Sequence, residues 1–111
     1  FYIHQCFGPG LLENVYETCL YEELKYRGLQ VQKQLSVPVH FRDIKLDTGF
    51  RLDLFVENTV IVECKAIEKL LPIHEAQMLT YMRLTNTRLG YLMNFNTSLI
   101  KDGIKRTVNR K

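Results

Sequence analysis

The chain has 111 residues, 46% of them hydrophobic, and its 15 Lys and Arg against 12 Asp and Glu give a net charge of +3. This length fits one domain over residues 1–111, and the hydrophobic fraction excludes a disordered chain. No apolar run reaches the roughly 18 residues of a membrane span, and the mild positive charge permits contact with nucleic acid without demanding it.

The cysteines and the first residues indicate a cellular compartment. Cys6, Cys19 and Cys64 show no CxxC spacing, which argues against a disulfide framework or a four-cysteine metal site. No basic region followed by an apolar run opens the sequence, so we expect no secretory signal. We expect a cytoplasmic protein, and because the sequence starts at Phe1 we expect its native N-terminus to lie upstream.

The first part of the chain predicts a helix and then a strand. Apolar residues recur at helical spacing up to Leu24 and Gly28 follows, which predicts a helix over about residues 11–27. From Val31 to Phe41 apolar and polar positions alternate, as in a strand with one polar face, and Pro38 predicts an interruption or an edge position. The segment from Arg42 to Gly49 is polar and predicts a turn.

The rest of the chain predicts a hairpin, a helix and further strands. The β-rich runs at residues 50–56 and 60–66 flank Glu57-Asn58-Thr59, which predicts a three-residue loop in which Asn58 can adopt positive φ. Pro72 predicts the start of a helix that ends near Thr85. Its predicted inward stripe consists of Ile73, Gln77, Tyr81 and Leu84. Strands over residues 89–95 and 104–108 follow, so the fold class is α/β with a mixed sheet flanked by helices.

Three charged residues interrupt the apolar runs of the predicted hairpin, namely Asp53, Glu63 and Lys65. With a three-residue loop, Asp53 lies opposite Glu63, and Arg51 lies opposite Lys65. Two carboxylates with Cβ atoms about 5 Å apart repel each other unless a positive charge lies between them. Oxygen ligands suit Mg²⁺ or Mn²⁺, and Lys65 on the same face could act on water or phosphate. The alternative is a salt-bridged edge hairpin in which Lys65 neutralises Glu63.

The two helices add candidates that also have structural explanations. Glu13 lies at a helix N-terminus, where a carboxylate is favourable in any case. Gln77 is the only amide of the predicted inward stripe, four residues before Tyr81. His74 could contact phosphate or have a structural role at the helix terminus. Arg51 could pair with Glu63 or contact phosphate. We expect His4 and His40 at the surface.

Several short motifs follow one another along the chain in a recognisable order. They are GLLENVY at residues 10–16, Asp53, the Glu63-Cys64-Lys65 triplet, LPIHEAQ at residues 71–77, QMLTY at residues 77–81 and NFN at residues 94–96. In this order the chain resembles the GxxExxY protein family of the PD-(D/E)XK nuclease superfamily, from about Cys6 to Asn109. The QxxxY element is similar to that of RecB-like nucleases. Leu52 departs from the superfamily pattern, which has proline there.

The resemblance implies a restriction-endonuclease-like αβββαβ core and metal-dependent hydrolysis of phosphodiester bonds, with DNA as the expected substrate. It implies Mg²⁺ or Mn²⁺ on Asp53, Glu63, Glu13 and the carbonyl of Cys64. It further implies Lys65 as the catalytic lysine and Gln77 as a positioning residue beside Tyr81. Apart from the resemblance, we expect Arg51 and His74 near the substrate. The alternatives are a nucleic-acid-binding module without turnover and an interaction domain. A second copy of the chain or a partner protein is our hypothesis for substrate specificity.

Overall fold

A computed structural model describes residues 1–110, apart from the side chains of Asp47 and Thr48. The elements are α1 (Tyr2–Phe7), α2 (Glu13–Tyr26), β1 (Val31–Phe41), β2 (Ile44–Val56), β3 (Val60–Lys65), α3 (Pro72–Leu84), β4 (Leu89–Asn94), a 3₁₀ turn (Ile100–Gly103) and β5 (Ile104–Val108). None of the helices in this part of the chain is long and apolar enough to cross a membrane.

The strands form one five-stranded mixed sheet in the order β1-β2-β3-β4-β5. The β1–β2, β2–β3 and β4–β5 pairs are antiparallel, whereas β3 and β4 run parallel because α3 carries the chain across the sheet between them. The predicted α/β class and the αβββαβ order are therefore confirmed, with α1 before the core and β5 after it.

Two hydrophobic cores lie on opposite faces of the sheet. On one face α1 and α2 cover a core that includes Tyr16, Leu54 and Cys64. On the other face α3 covers a core that includes Ile61 and Met78. Each element therefore buries an apolar face against the sheet, as a layered α/β fold requires.

The β2–β3 hairpin has the predicted register. Val56 pairs with Val60, and both Glu57 and Asn58 adopt positive φ, at 52° and 54°. The pairing ends at Leu54 and Val62, so the predicted ladder pairs further along the strands are absent. The residues beyond that point form the candidate site.

The predicted turn from Arg42 to Gly49 is wrong, because β2 already begins at Ile44. Only Arg42 and Asp43 turn the chain, and Ile44 pairs with Phe41 on β1. Lys45 alternates with Ile44 and Leu46 in the sequence, and all three are exposed to solvent, which obscured the strand. Pro38 lies on an edge strand and at a register shift between Val37 and Val39, so both of its predicted effects occur.

The apolar positions of β1 do not share one face, contrary to the prediction. Val31 packs against the core under α2, whereas Leu35 and Val37 pack against the core under α3. The change occurs at Gln34, whose φ is 55°. A residue in the left-handed region rotates the following side chains to the opposite face of the strand.

The predicted inward stripe of α3 is also wrong. Ile73 and Leu84 are 66% and 47% exposed, and Gln77 is exposed as well. The helix buries Met78 and Met82 instead, and Tyr81 is half-buried beside them.

The expectation that His4 lies at the surface is wrong. His4 is buried, and its Nε2 forms a hydrogen bond with the carbonyl of Thr97 at 2.7 Å.

Candidate active site

The centre of the site is the point at which β2 and β3 stop pairing. There the N–H of Asp53 donates to Glu63 Oε1 at 3.3 Å, and the N–H of Cys64 donates to Asp53 Oδ2 at 2.9 Å. Side-chain carboxylates thus accept hydrogen bonds from main-chain groups beyond the end of the ladder. The structure brings Asp53 and Glu63 together, as the sequence predicts.

Glu63 lies in an environment that disfavours its charge. The residue is 6% exposed, and burial together with the neighbouring Asp53 raises the pKa of Glu63 to about 9. The Lys65 ammonium has the opposite effect on this pKa, but a smaller one. Near neutral pH the Glu63 carboxyl therefore holds a proton, because no cation of the described residues offsets its burial and the nearby Asp53.

Glu17 is a site residue that the sequence interpretation missed. It is 5% exposed, and both of its carboxylate oxygens accept hydrogen bonds from Gln34 Nε2 at 2.8 Å. Burial raises the pKa of Glu17, and so do the charge and hydrogen bonding of Asp53. Its spacing from Leu20, Tyr21 and Leu24, which face the core, was the available signal: an acidic residue on the inward stripe of a helix.

Glu13 opens α2, and the buried Tyr16 fixes the segment that leads into this helix. The Tyr16 hydroxyl donates to the carbonyl of Gly8 and accepts from the N–H of Leu11, while its ring stacks on Phe95 at 4.5 Å. Glu13 Oε2 then accepts from the N–H of Ala66 at 3.3 Å. Glu13 consequently lies against the end of β3, next to Lys65.

Cys64 shows how the acidic groups are arranged. Its side chain is fully buried under α2, and burial raises the pKa of the Cys64 thiol well above its usual range. Four carboxylates raise this pKa further, and in decreasing order of effect they are Asp53, Glu17, Glu63 and Glu13. These four groups therefore surround the end of β3.

Lys65 and Tyr81 lie on the other face of the sheet, under α3. Lys65 is half-buried, and its ammonium forms no ion pair with the described side chains. The Tyr81 ring stacks on Phe50 at 4.3 Å with the two planes 3° apart. Burial and then the charges of Glu63 and Asp53 raise the pKa of Tyr81, which indicates that its hydroxyl lies near them.

The three remaining candidates lie at the margin of this cluster. His74 Nδ1 accepts from the N–H of Leu71 at 2.9 Å, so this histidine caps the N-terminus of α3. Arg51 is exposed, and its main chain pairs with Ser36 of β1. Gln77 is exposed on α3, and its side chain forms no hydrogen bond within residues 1–110.

Asn94 fixes the segment that follows β3, a role that the sequence interpretation did not assign. It is 1% exposed; its Oδ1 accepts from the N–H of Ile67 and its Nδ2 donates to the Ile67 carbonyl. Phe95 adds a main-chain bond to the Lys65 carbonyl at 2.8 Å. The main chain of β3 is thereby fixed just after Lys65.

The predicted metal shell is only partly assembled. In the described part of the chain no three or more His, Cys, Asp or Glu side chains are arranged so that they could hold a metal ion. Asp53 and Glu63 nevertheless fit a hard divalent cation, because their side-chain oxygens lie at the same break in the ladder and a bound cation would replace the proton that Glu63 otherwise holds.

Comparison with known families agrees with the fold. The model of the PD-(D/E)XK nuclease superfamily matches residues 1–107. Searches of curated proteins and of solved structures gave no match. The match covers the helices, the mixed sheet and the acidic end of β3, and it supports a nuclease-type function. The chain belongs to the PD-(D/E)XK nuclease superfamily.

Proposed function

We propose that the chain is a nuclease that requires Mg²⁺ or Mn²⁺ and hydrolyses phosphodiester bonds in DNA. The observation that carries this proposal is the contact between Asp53 and Glu63 at the diverging ends of β2 and β3, with Lys65 two residues further along. Burial, and then the neighbouring Asp53, raise the pKa of Glu63 to about 9, so without a cation this carboxyl holds a proton that a divalent ion could replace.

The acidic residues have the role of holding the cation. Asp53 and Glu63 would bind it directly, together with the carbonyl of Cys64, and Glu13 would complete the shell. When bound, the ion would lower the pKa of a water molecule and offset the negative charge that develops on phosphate oxygens. The sequence motifs that resemble those of the GxxExxY family support the same assignment.

Lys65 has the role of orienting water for attack on phosphorus. Its ammonium projects from the same face of β3 as Glu63, and it can donate to a water or a phosphate oxygen. Gln77 and Tyr81 on α3 would align the lysine and the substrate, while Arg51 and His74 would contact phosphates at the margin. Of these, Tyr81 is positioned by the stacking of its ring on Phe50.

The test is cleavage of single- and double-stranded DNA and RNA with Mg²⁺ or Mn²⁺, using wild type, Lys65→Ala and Lys69→Ala. Lys69 is an exposed lysine in the loop after β3 and serves as the matched control. We expect wild type and Lys69→Ala to cleave DNA, and Lys65→Ala to be slower by about 10²–10⁴-fold. Absence of cleavage by wild type, or equal rates for all three proteins, would contradict the proposal.

A second candidate is a nucleic-acid-binding module that has the fold but no turnover. The bond from the N–H of Ala66 to Glu13 favours it, because this carboxylate is engaged by the main chain and, among the described residues, forms no group with Asp53 and Glu63 that could hold a metal ion. Such a module would bind DNA with a strong dependence on salt and leave it intact. The cleavage assay, run beside a binding assay, separates the two candidates.

A further inference from the structure

We propose that Gln34 and Glu17 are positioning residues for Asp53, with Gln34 acting through Glu17. This inference rests on the proposed function, since its consequence is how well Asp53 binds a divalent cation. Neither residue belongs to the motifs on which the nuclease resemblance depends.

The first step is the unusual backbone of Gln34. Its φ of 55° lies in the left-handed region, which glutamine rarely adopts. The pairing of β1 with β2 passes from Lys33–Leu54 to Leu35–Leu52 and omits the pair formed by Gln34 and Asp53. Gln34 and Asp53 therefore occupy the same irregular point of the sheet, where both strands change the face that they present to each core.

The second step is the contact between Gln34 and Glu17. The Gln34 amide donates to both oxygens of the Glu17 carboxylate at 2.8 Å, across from β1 to α2. Glu17 is buried, and it lies beside Lys33, which weakly favours its charged form. The amide of Gln34 thus fixes the orientation of a carboxylate that the fold has removed from water.

The third step links Glu17 to Asp53. Gln34 fixes Glu17 at the point of β1 that lies across from Asp53, between the pairs Lys33–Leu54 and Leu35–Leu52, and the nearby Asp53 contributes to the raised pKa of Glu17. Asp53 Oδ2 accepts from the N–H of Cys64 on its other side, so Asp53 lies between β3 and the Gln34–Glu17 pair. A carboxylate that is fixed before the cation arrives binds it more tightly, because less rotational freedom is lost on binding.

A purely structural tie between β1 and α2 would use the same contacts, so the test must separate metal affinity from folding. Gln34→Asn is the informative variant: asparagine tolerates positive φ, but its shorter side chain cannot make the same contact with Glu17. Gln32→Asn, at an exposed glutamine of the same strand, is the matched control. Glu17→Gln and the double variant complete a thermodynamic cycle.

The measurements are the Kd for Mn²⁺ by titration calorimetry and the melting temperature without metal. We expect Gln34→Asn and Glu17→Gln each to weaken Mn²⁺ binding by about 10-fold or more. We expect the double variant to be no weaker than Glu17→Gln, and Gln32→Asn to match wild type. Because asparagine fits the backbone, the change in affinity should not follow the change in melting temperature.

Two results would overturn the inference alone: wild-type affinity in Gln34→Asn, or fully additive losses in the double variant. A lower melting temperature with unchanged affinity would assign the pair a structural role and overturn it as well. If wild type binds Mn²⁺ no better than Asp53→Ala, the proposed metal site itself is wrong and the inference fails with it.

Discussion

The main-chain N–H of Asp53 donates to the carboxylate of Glu63 across the point where two antiparallel strands separate. A reciprocal bond from the N–H of Cys64 to Asp53 Oδ2 completes the exchange. Each acidic side chain therefore satisfies a main-chain donor that the ladder would otherwise satisfy, so the fold itself brings two acidic groups together. Burial of Glu63 and its proximity to Asp53 make it costly to ionise both groups, and this cost is the physical basis of the first two predictions.

Removal of one negative charge should stabilise the metal-free protein. Asp53→Asn retains an oxygen that can accept from the N–H of Cys64 but eliminates repulsion with Glu63 and Glu17. We expect the free energy of unfolding in EDTA to increase by about 1 kcal/mol, measured by urea denaturation. Addition of Mn²⁺ should raise the melting temperature of wild type and leave that of Asp53→Asn unchanged.

The control for this prediction is Asp43→Asn, at an exposed aspartate in the β1–β2 turn. This variant should behave as wild type in EDTA and in Mn²⁺. A destabilised Asp53→Asn protein would show that the aspartate is mainly structural, and it would favour the salt-bridged hairpin over a metal site.

The stability of the metal-free protein should fall as the pH rises. The pKa of Glu63 is raised from 4.5 to about 9 by burial and by Asp53, so the folded state binds the proton more tightly than the unfolded state. Its contribution is fully present below pH 4.5 and is lost as the pH rises toward about 9. Glu17 changes stability in the same direction, because its pKa is also raised.

Melting temperatures measured in EDTA between pH 5 and pH 9 test this prediction, and Glu63→Gln should show a smaller decrease over that range. Saturating Mn²⁺ should also reduce the decrease, because a bound cation favours the ionised carboxylate. An equal pH dependence in wild type and Glu63→Gln would contradict the assignment of the effect to Glu63.

The β2–β3 hairpin shows what local sequence can predict. Three polar residues between two β-rich runs determine the loop length, and the loop length determines which residues face each other. The approach of Asp53 to Glu63 follows from this count, as do the starts of α3 at Pro72 and of β5 at Ile104. The family model, matched over residues 1–107, supports the overall order of elements.

Glu17 and Gln34 show what local sequence cannot predict. Their contact depends on a left-handed residue inside β1, and no alternation rule contains such a residue. The wrong stripe on α3 has a similar cause, because Met78 and Met82 pack against Gly90 of β4, where an added Cβ would lie 2.7 Å from Met78 Sδ. Which face a helix buries is decided by a tertiary contact that the sequence of the helix does not contain.

Loss of the Asn94 amide should loosen the segment behind the active site. Asn94→Ala removes the side-chain partner of the Ile67 N–H and the shorter of the two bonds to the Ile67 carbonyl, so we expect a loss of about 2–3 kcal/mol in unfolding free energy. Cleavage should also slow at temperatures where the variant is fully folded, because Lys65 directly precedes this segment.

Asn96→Ala is the control, because Asn96 is exposed and donates only one longer bond to Ile67, at 3.3 Å. Equal stability of the two variants would contradict this role of Asn94.

The hydroxyl of Tyr16 should matter for stability and for the placement of Glu13. Tyr16→Phe retains the stack on Phe95 but leaves the carbonyl of Gly8 and the N–H of Leu11 without that partner. We expect unfolding free energy to fall by about 1–3 kcal/mol in urea denaturation, as for other buried hydrogen bonds that lose one partner. Tyr26→Phe, at a residue that is 87% exposed, should change stability by less than about 0.5 kcal/mol.

Because the same contacts fix the start of α2, Tyr16→Phe should also weaken Mn²⁺ binding if Glu13 contributes to the metal shell. Unchanged Mn²⁺ affinity in a destabilised Tyr16→Phe protein would restrict this tyrosine to folding.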